Sequence, residues 1–191
     1  MLTTVEANKT FFEEKIEQVE KFNLSKKQAL VADYMVDQEY TIELVALVNL
    51  YKRKFEKVYR GARFKAEEIY EGNYISLGDS LVSTTLEEKV AIPFAFNDVD
   101  DAIMEAYAAE LDDDELEDLV NELYSYCVFE IEEIEGLYLN DFFDDANKYT
   151  YEKEVLSDQE GLIYKILKVE PFSKEYPQIN RVIIRNILKD N

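Results

Sequence analysis

The chain reads as an α+β fold, with a helical N-terminal region packed on a mixed or antiparallel β core. Three observations predict this. The first fifty residues carry apolar side chains at helical spacing, the segments beyond Lys54 shorten into strand-like runs, and the two textures follow one another instead of alternating. A single domain over 1–191 is expected, with a helical part over 1–52 and a β core over 53–191 that carries an acidic helical insert at 97–122.

The helices come first. In FFEEKIEQVEKF the residues Phe11, Phe12, Ile16, Val19 and Phe22 recur at helical spacing. Ser25 opens SKKQ, a capping-box pattern with Gln28, so a second helix is expected from there through Tyr34 and Met35. Thr41 caps a third segment, IELVALVNLY, which is apolar enough to be largely buried. Packing against the rest of the domain is the role expected of all three.

The strands follow. KVYRG reads as a short strand with Gly61 at its end, and Gly72 and Gly78 mark turns ahead of a strand-like SLVS. TLEE, from Thr85 to Glu88, is a second capping box, so a helix is expected right after Ser83 and Thr84, kinked or stopped near Pro93. Residues 97–122 contain no lysine or arginine, and VDDAIMEAYAAEL and DELEDLVNELY predict two exposed amphipathic helices there. YCVFEIEEI alternates, with Cys127, Phe129 and Ile131 on one face and Glu130 and Glu132 on the other, which predicts a half-buried strand. LIYKILKV and INRVIIRNIL predict two more.

Composition narrows the chemistry. The 14 Tyr and 11 Phe can build a core that a disordered acidic tail would lack. With no histidine and a single cysteine, Cys127, the chain cannot form a Ser-His-Asp triad, a Cys-His pair, a histidine-ligated zinc site or an internal disulfide. No metal is expected. Chemistry must rest on carboxylates, hydroxyls, Tyr, Lys and Arg. The first residues lack the basic region and apolar run of a signal peptide, so a cytoplasmic location is expected. A net charge of −21 repels nucleic-acid phosphates and anionic lipid, which argues against a direct nucleic-acid or membrane partner and suits a basic protein surface.

Three pieces occur in order along the chain. Arg60 and Gly61 lie in VYRGARF, with Arg63 close by. Ser83, Thr84 and Thr85 lead from a strand into a helix through LVSTTLEEKVAIPFAF. Glu152 and Glu154 stand in YEKEVL. This order resembles the Arg–Ser–Glu class of mono-ADP-ribosyltransferases, in which an arginine on a first strand, a Ser-Thr-Ser-like strand followed by a helix with "A..F", and a Glu-x-Glu succeed one another. Ala91 and Phe94 hold the "A..F" places. The resemblance covers about residues 55–170, and the short chain is similar to the small ADP-ribosyltransferases of bacteriophages. Thr85 stands where the family usually has serine, and Glu-x-Glu occurs four times in the chain, at Glu115/Glu117, Glu130/Glu132, Glu133/Glu135 and Glu152/Glu154.

The resemblance implies NAD as substrate, an ADP-ribosyltransferase-type β core and one role for each matched residue. A guanidinium offers phosphate oxygens a fork of donors that lysine cannot match, which suits Arg60 to the NAD pyrophosphate. Gly61 lets the backbone approach closely, and Thr84 and Phe94 complete the NAD pocket. Arg63 reads equally as an assisting group and as a surface charge. Glu154 takes the place of the catalytic glutamate that stabilises an oxocarbenium-like ribose, and Ser83 that of the serine orienting it. Glu152 implies an arginine acceptor, gripped in a bidentate manner and relieved of a proton. Phe94, Phe96 and Tyr151 are candidates to stack on nicotinamide, against a default role in the core. For a phage-like member the target is a basic host protein with an accessible arginine, in transcription, translation or defence, met in the host cytoplasm. The competing reading is an acidic nucleic-acid mimic that blocks a basic nucleic-acid-binding protein, motivated by ELDDDELEDL.

Overall fold

A computed structural model describes residues 4–37, 39–78, 80–97, 115, 122–143 and 152–187. The two amphipathic helices expected within 97–122, and Tyr151, lie almost wholly or wholly outside these residues. Three helices lead: α1 (Thr4–Glu20), α2 (Leu24–Asp37) and α3 (Ile42–Tyr51). The strands are β1 (Arg53–Lys65), β2 (Tyr74–Ile75), β3 (Leu81–Thr85), β4 (Tyr124–Tyr138), β5 (Glu154–Asp158), β6 (Tyr164–Pro171) and β7 (Ile179–Asn186), with α4 (Glu88–Asn97) between β3 and β4. Helices gathered ahead of a mixed, largely antiparallel sheet make this the α+β class that the sequence predicts.

The sheet runs in the order β1-β3-β5-β4-β7-β6-β2, and a further β1–β4 pairing closes the first four strands into a barrel-like ring. β4 is the hub. It pairs antiparallel with β1 from Lys65↔Tyr124 to Arg53↔Gly136, parallel with β7 from Tyr126 to Glu132, and with β5 at Leu137 and Tyr138. Its side chains alternate in direction as expected, but the strand is not half-buried: Val128 and Glu130 are buried as well, so both faces are covered over 127–131. Cys127, Phe129 and Ile131 are fully buried in the main core with Val58, Ile166 and Ile184, while Glu130 pairs with Lys57 and Glu132 with Arg185. The N-terminal helices form a second apolar cluster, in which Val31, Tyr34, Leu44 and Leu47 pack on Leu81, Leu137 and Leu156 of β3, β4 and β5. α4 covers another side through Ala91 and Ala95 against Val128 and Ile179.

Thr41 caps α3, its Oγ1 accepting from Leu44 N at 3.2 Å. α2, however, is capped by Asn23, whose Oδ1 accepts from Lys26 N at 2.9 Å, so the capping box read at Ser25 is not used. Gln28 instead donates to the Phe142 carbonyl at 2.7 Å and ties α2 to the end of β4's connection. Asn and Ser are equally good N-caps, and Asn23, two residues upstream, starts the helix earlier. α4 does not stop at Pro93 but runs through it to Asn97, although Pro93 is its sixth residue and has no amide to donate to the Lys89 carbonyl. Thr85 serves the start of α4, accepting from Glu87 N at 3.0 Å, while Glu88 reaches across to Arg181 of β7.

Gly61 does not end its strand but sits inside β1, and the reason is packing. A Cβ at this position would lie 1.9 Å from the Ala91 carbonyl oxygen and 2.6 Å from Ala95 N, so only glycine lets α4 rest on the strand. Gly61→Ala must push α4 outward and is expected to destabilise the protein by about 1–3 kcal/mol. Urea denaturation checks this as a lowered midpoint at unchanged slope. An unaltered midpoint would mean that α4 does not lean on Gly61.

Candidate active site

Three neighbouring strands build the site. β3 lies between β1 and β5, with Tyr59 opposite Thr85 on one side and Thr85 opposite Glu154 on the other. In an antiparallel pair, residues directly opposite and those two places along share a face. Ser83 therefore looks diagonally across at Glu154, and its hydroxyl donates to Glu154 Oε1 at 2.6 Å. From the other flank Arg60 Nη1 donates to the Ser83 carbonyl at 2.9 Å. Thr84, on the opposite face, is buried and donates to the Val155 carbonyl at 2.9 Å, which locks the β3–β5 register.

The approach to β5 is held at several points. Thr85 Oγ1 donates to the Glu152 carbonyl at 2.5 Å, and Leu86 N donates to the Lys153 carbonyl at 3.1 Å. Between the two glutamates, Lys153 takes a left-handed φ of 45°, uncommon for a residue with a side chain, and pairs with Glu87. Such a conformation costs energy and persists only where the surroundings impose it. Here it turns the chain so that Glu152 and Glu154 both border one space.

That space is a cavity of about 260 Å³ lined by Tyr40, Tyr59, Arg60, Gly61, Ser83, Thr84, Thr85, Val90, Ala91, Phe94, Glu152 and Glu154. Every residue singled out for catalysis or NAD binding from the sequence thus borders it: Arg60, Gly61, Ser83, Thr84, Phe94, Glu152 and Glu154. Other expectations fall away from it. Arg63, three positions from Arg60, projects from the other face of β1, donates to the Phe96 carbonyl at 3.2 Å and stacks on Tyr126. It closes the end of α4. Phe96 packs on Tyr126, its ring centroid 5.2 Å away, in the core beneath α4 and outside the cavity lining. Among the described alternatives for Glu-x-Glu, Glu130, Glu132 and Glu135 pair with Lys57, Arg185 and Lys52.

Sequence reasoning missed the tyrosines. Tyr34, on α2, is almost fully buried and donates to Glu154 Oε1 at 2.7 Å, the same oxygen that Ser83 holds. Tyr40 stacks on Tyr34 at 5.6 Å and reaches the cavity wall. With tyrosines scattered through the chain, neither stands out; the available signal was that a buried tyrosine hydroxyl needs a partner.

Glu154 is buried, and burial pushes its carboxyl above the ordinary range. The hydroxyls of Ser83 and Tyr34 pull it back, and the charge of Glu152 adds to the rise. Burial, followed by the Glu154 charge, pushes the Tyr34 hydroxyl far up, so Tyr34 remains a donor.

No family model matches the chain, and no curated protein matches its sequence. Its fold is similar to that of Vis toxin, an ADP-ribosyltransferase from Vibrio splendidus, with a TM-score of 0.52 at 13% identity over 98% of this chain and 88% of that one. It is also similar to ADP-ribosyltransferase Vis in complex with M6 inhibitor, with a TM-score of 0.52 at 17% identity over 91% of this chain and 72% of that one. The α+β architecture is thus that of an ADP-ribosyltransferase fold.

The raised Glu154 carboxyl has a consequence for stability. A group whose folded pKa lies above its unfolded value favours folding fully below the unfolded pKa, and that contribution is lost as pH rises through the folded pKa. At neutral pH the buried charge is therefore a burden on the fold. Glu154→Gln, which can still accept from Ser83 and Tyr34, is expected to raise the melting temperature at pH 7.5, with the gain vanishing below about pH 4. Thermal melts across pH check this, and a variant less stable than the parent at neutral pH would contradict it.

Proposed function

We propose that this protein transfers ADP-ribose from NAD to arginine side chains of a protein acceptor and releases nicotinamide. One observation carries the reading. Arg60, Ser83, Glu152 and Glu154, which the resemblance picks out from three distant stretches of sequence, border a single cavity in a chain with an ADP-ribosyltransferase fold.

The residues present fit the substrate. The cavity lies just below the ~300–1,000 Å³ of sites that engulf whole drug-sized ligands, a size for the nicotinamide-ribose end of NAD with the remainder along the open side. Arg60 is the one basic side chain lining it among the described residues, where a pyrophosphate needs a forked cation. Phe94, largely exposed, with Val90 and Ala91, gives an apolar wall for an aromatic ring.

When bound, NAD supplies a glycosidic bond whose electrons leave with nicotinamide while positive charge develops on the ribose. Glu154 places a fixed negative charge in a partly water-excluded site, where it stabilises positive charge far better than it does in water. Ser83 holds Glu154, and Arg60 in turn braces the Ser83 backbone. Glu152 accepts the incoming guanidinium and takes up its proton as the new bond to nitrogen forms. The acceptor is a basic protein drawn by the net charge of −21, and we place it in host transcription, translation or defence machinery, with the enzyme of the small bacteriophage type working in the host cytoplasm.

Incubation with labelled NAD and lysate should label protein, and mass spectrometry should find one ADP-ribose per modified arginine. Because Glu154 acts on charge present only near the transition state, Glu154→Gln should slow the reaction by ~10²-fold or more while NAD binding is largely kept. Glu152→Gln should abolish modification of arginine yet spare slow NAD hydrolysis. Loss of both activities together would remove the arginine assignment. Action of folded Arg60→Ala protein on its target without NAD would favour an acidic mimic instead.

A further inference from the structure

The N-terminal helices look like packing elements, yet one of their side chains ends at the most important carboxylate of the site. Tyr34 leaves the apolar cluster it shares with Val31, Leu44 and Leu156 and places its hydroxyl 2.7 Å from Glu154 Oε1. Ser83 donates to the same oxygen at 2.6 Å from the strand side. Both donors thus take one oxygen, from two different layers of the fold. A carboxylate held by two donors on one oxygen cannot rotate, and its other oxygen is left to point along a single direction.

We propose that Tyr34 is a positioning residue of the reaction: with Ser83 it clamps Oε1 of Glu154, so that Oε2 presents its charge to the ribose in a fixed direction. The assignment rests on the NAD reading for the identity of the ribose, and on the geometry alone for the clamp. It makes α2 part of the catalytic apparatus. The titratable and charged groups sharing the cavity with Glu154 are Tyr40 from the connection after α2, Tyr59 and Arg60 from β1, and Glu152 ahead of β5. Tyr34 stands behind these groups, outside the cavity lining, and donates to Glu154 from α2, its raised hydroxyl staying protonated at neutral pH. Glu152 acts against it, since its charge disfavours ionisation of Glu154.

Tyr34→Phe tests the clamp while preserving the ring that stacks on Tyr40. The Glu154 carboxyl, followed by ¹³C NMR in labelled protein, should titrate about one pH unit higher in Tyr34→Phe than in the parent, the effect of losing one hydrogen bond to a charged acceptor. NAD turnover at pH 7 should fall in kcat by ~10-fold or more with KM changed little, because the loss is felt where charge develops. Val31→Ala, a cavity in the same helix, should lower the melting temperature without moving the carboxyl titration. A folded Tyr34→Phe protein with an unshifted Glu154 titration would overturn the clamp. The titration needs no turnover, so a shifted midpoint in a protein that never cleaves NAD would uphold the clamp and overturn the NAD reading instead.

Discussion

The site depends on holding in place one buried carboxylate whose charge burial disfavours. Glu154 opens β5 at a place where the strand has just entered the fold, and it is 6% exposed. An isolated carboxylate there would protonate or draw in water. Hydroxyls from α2 and β3 oppose this in part, and each is itself fixed by a larger arrangement: Ser83 by the β3–β5 ladder, Tyr34 by the apolar seam between the helices and the sheet. The helical layer and the barrel-like ring meet at that oxygen. Loss of either support would expose the same defect.

The surroundings of the glutamate pair show how the fold tolerates local cost. A left-handed Lys153 is unfavourable by itself, but Thr85 holds the carbonyl before it, Leu86 holds its own, and Glu87 pairs with its side chain. All three partners lie within the short stretch that leads from β3 into α4. A single segment thus orients the serine, starts the helix that covers β1 and bends the strand carrying the glutamates.

Much of this was legible in the sequence because it rests on local chemistry. Periodicity located α1, alternation located β4, and a Thr cap before an apolar run located α3, while α2 was expected from a capping box that Asn23 replaces. The Arg, Ser and Glu pieces were legible only as an ordered set that resembles a family pattern, since each piece alone is a short and common run. What stayed hidden depends on distance in the chain. Gly61 read as a strand end because nothing nearby announces that α4 will rest on it. Arg63 read equally as an assistant to Arg60 and as a surface charge, because the rule that residues three apart on a strand point to opposite faces becomes usable only once the strand is known to run through Gly61. Tyr34 lies 120 residues from Glu154, and helical spacing made it one more core aromatic.

The hub position of β4 also shapes how the chain must come together. Arg53 meets Gly136 and Lys65 meets Tyr124, so β1 finds its long partner only after an intervening stretch of many tens of residues has been made. β3 waits about as long for β5, and β4 waits for β7 at the far end of the described chain. Such non-local pairing gives a high contact order, and the entropy of closing those loops is lost before the sheet returns any stability. Of the described elements, the helices alone close their backbone hydrogen bonds within one segment, so they are the ones able to order early. During synthesis β1 therefore emerges as an unpaired edge with its partner still to be translated. Folding of this chain is expected to be slow and late, with interrupted translation more hazardous to it than to a helical protein of equal length.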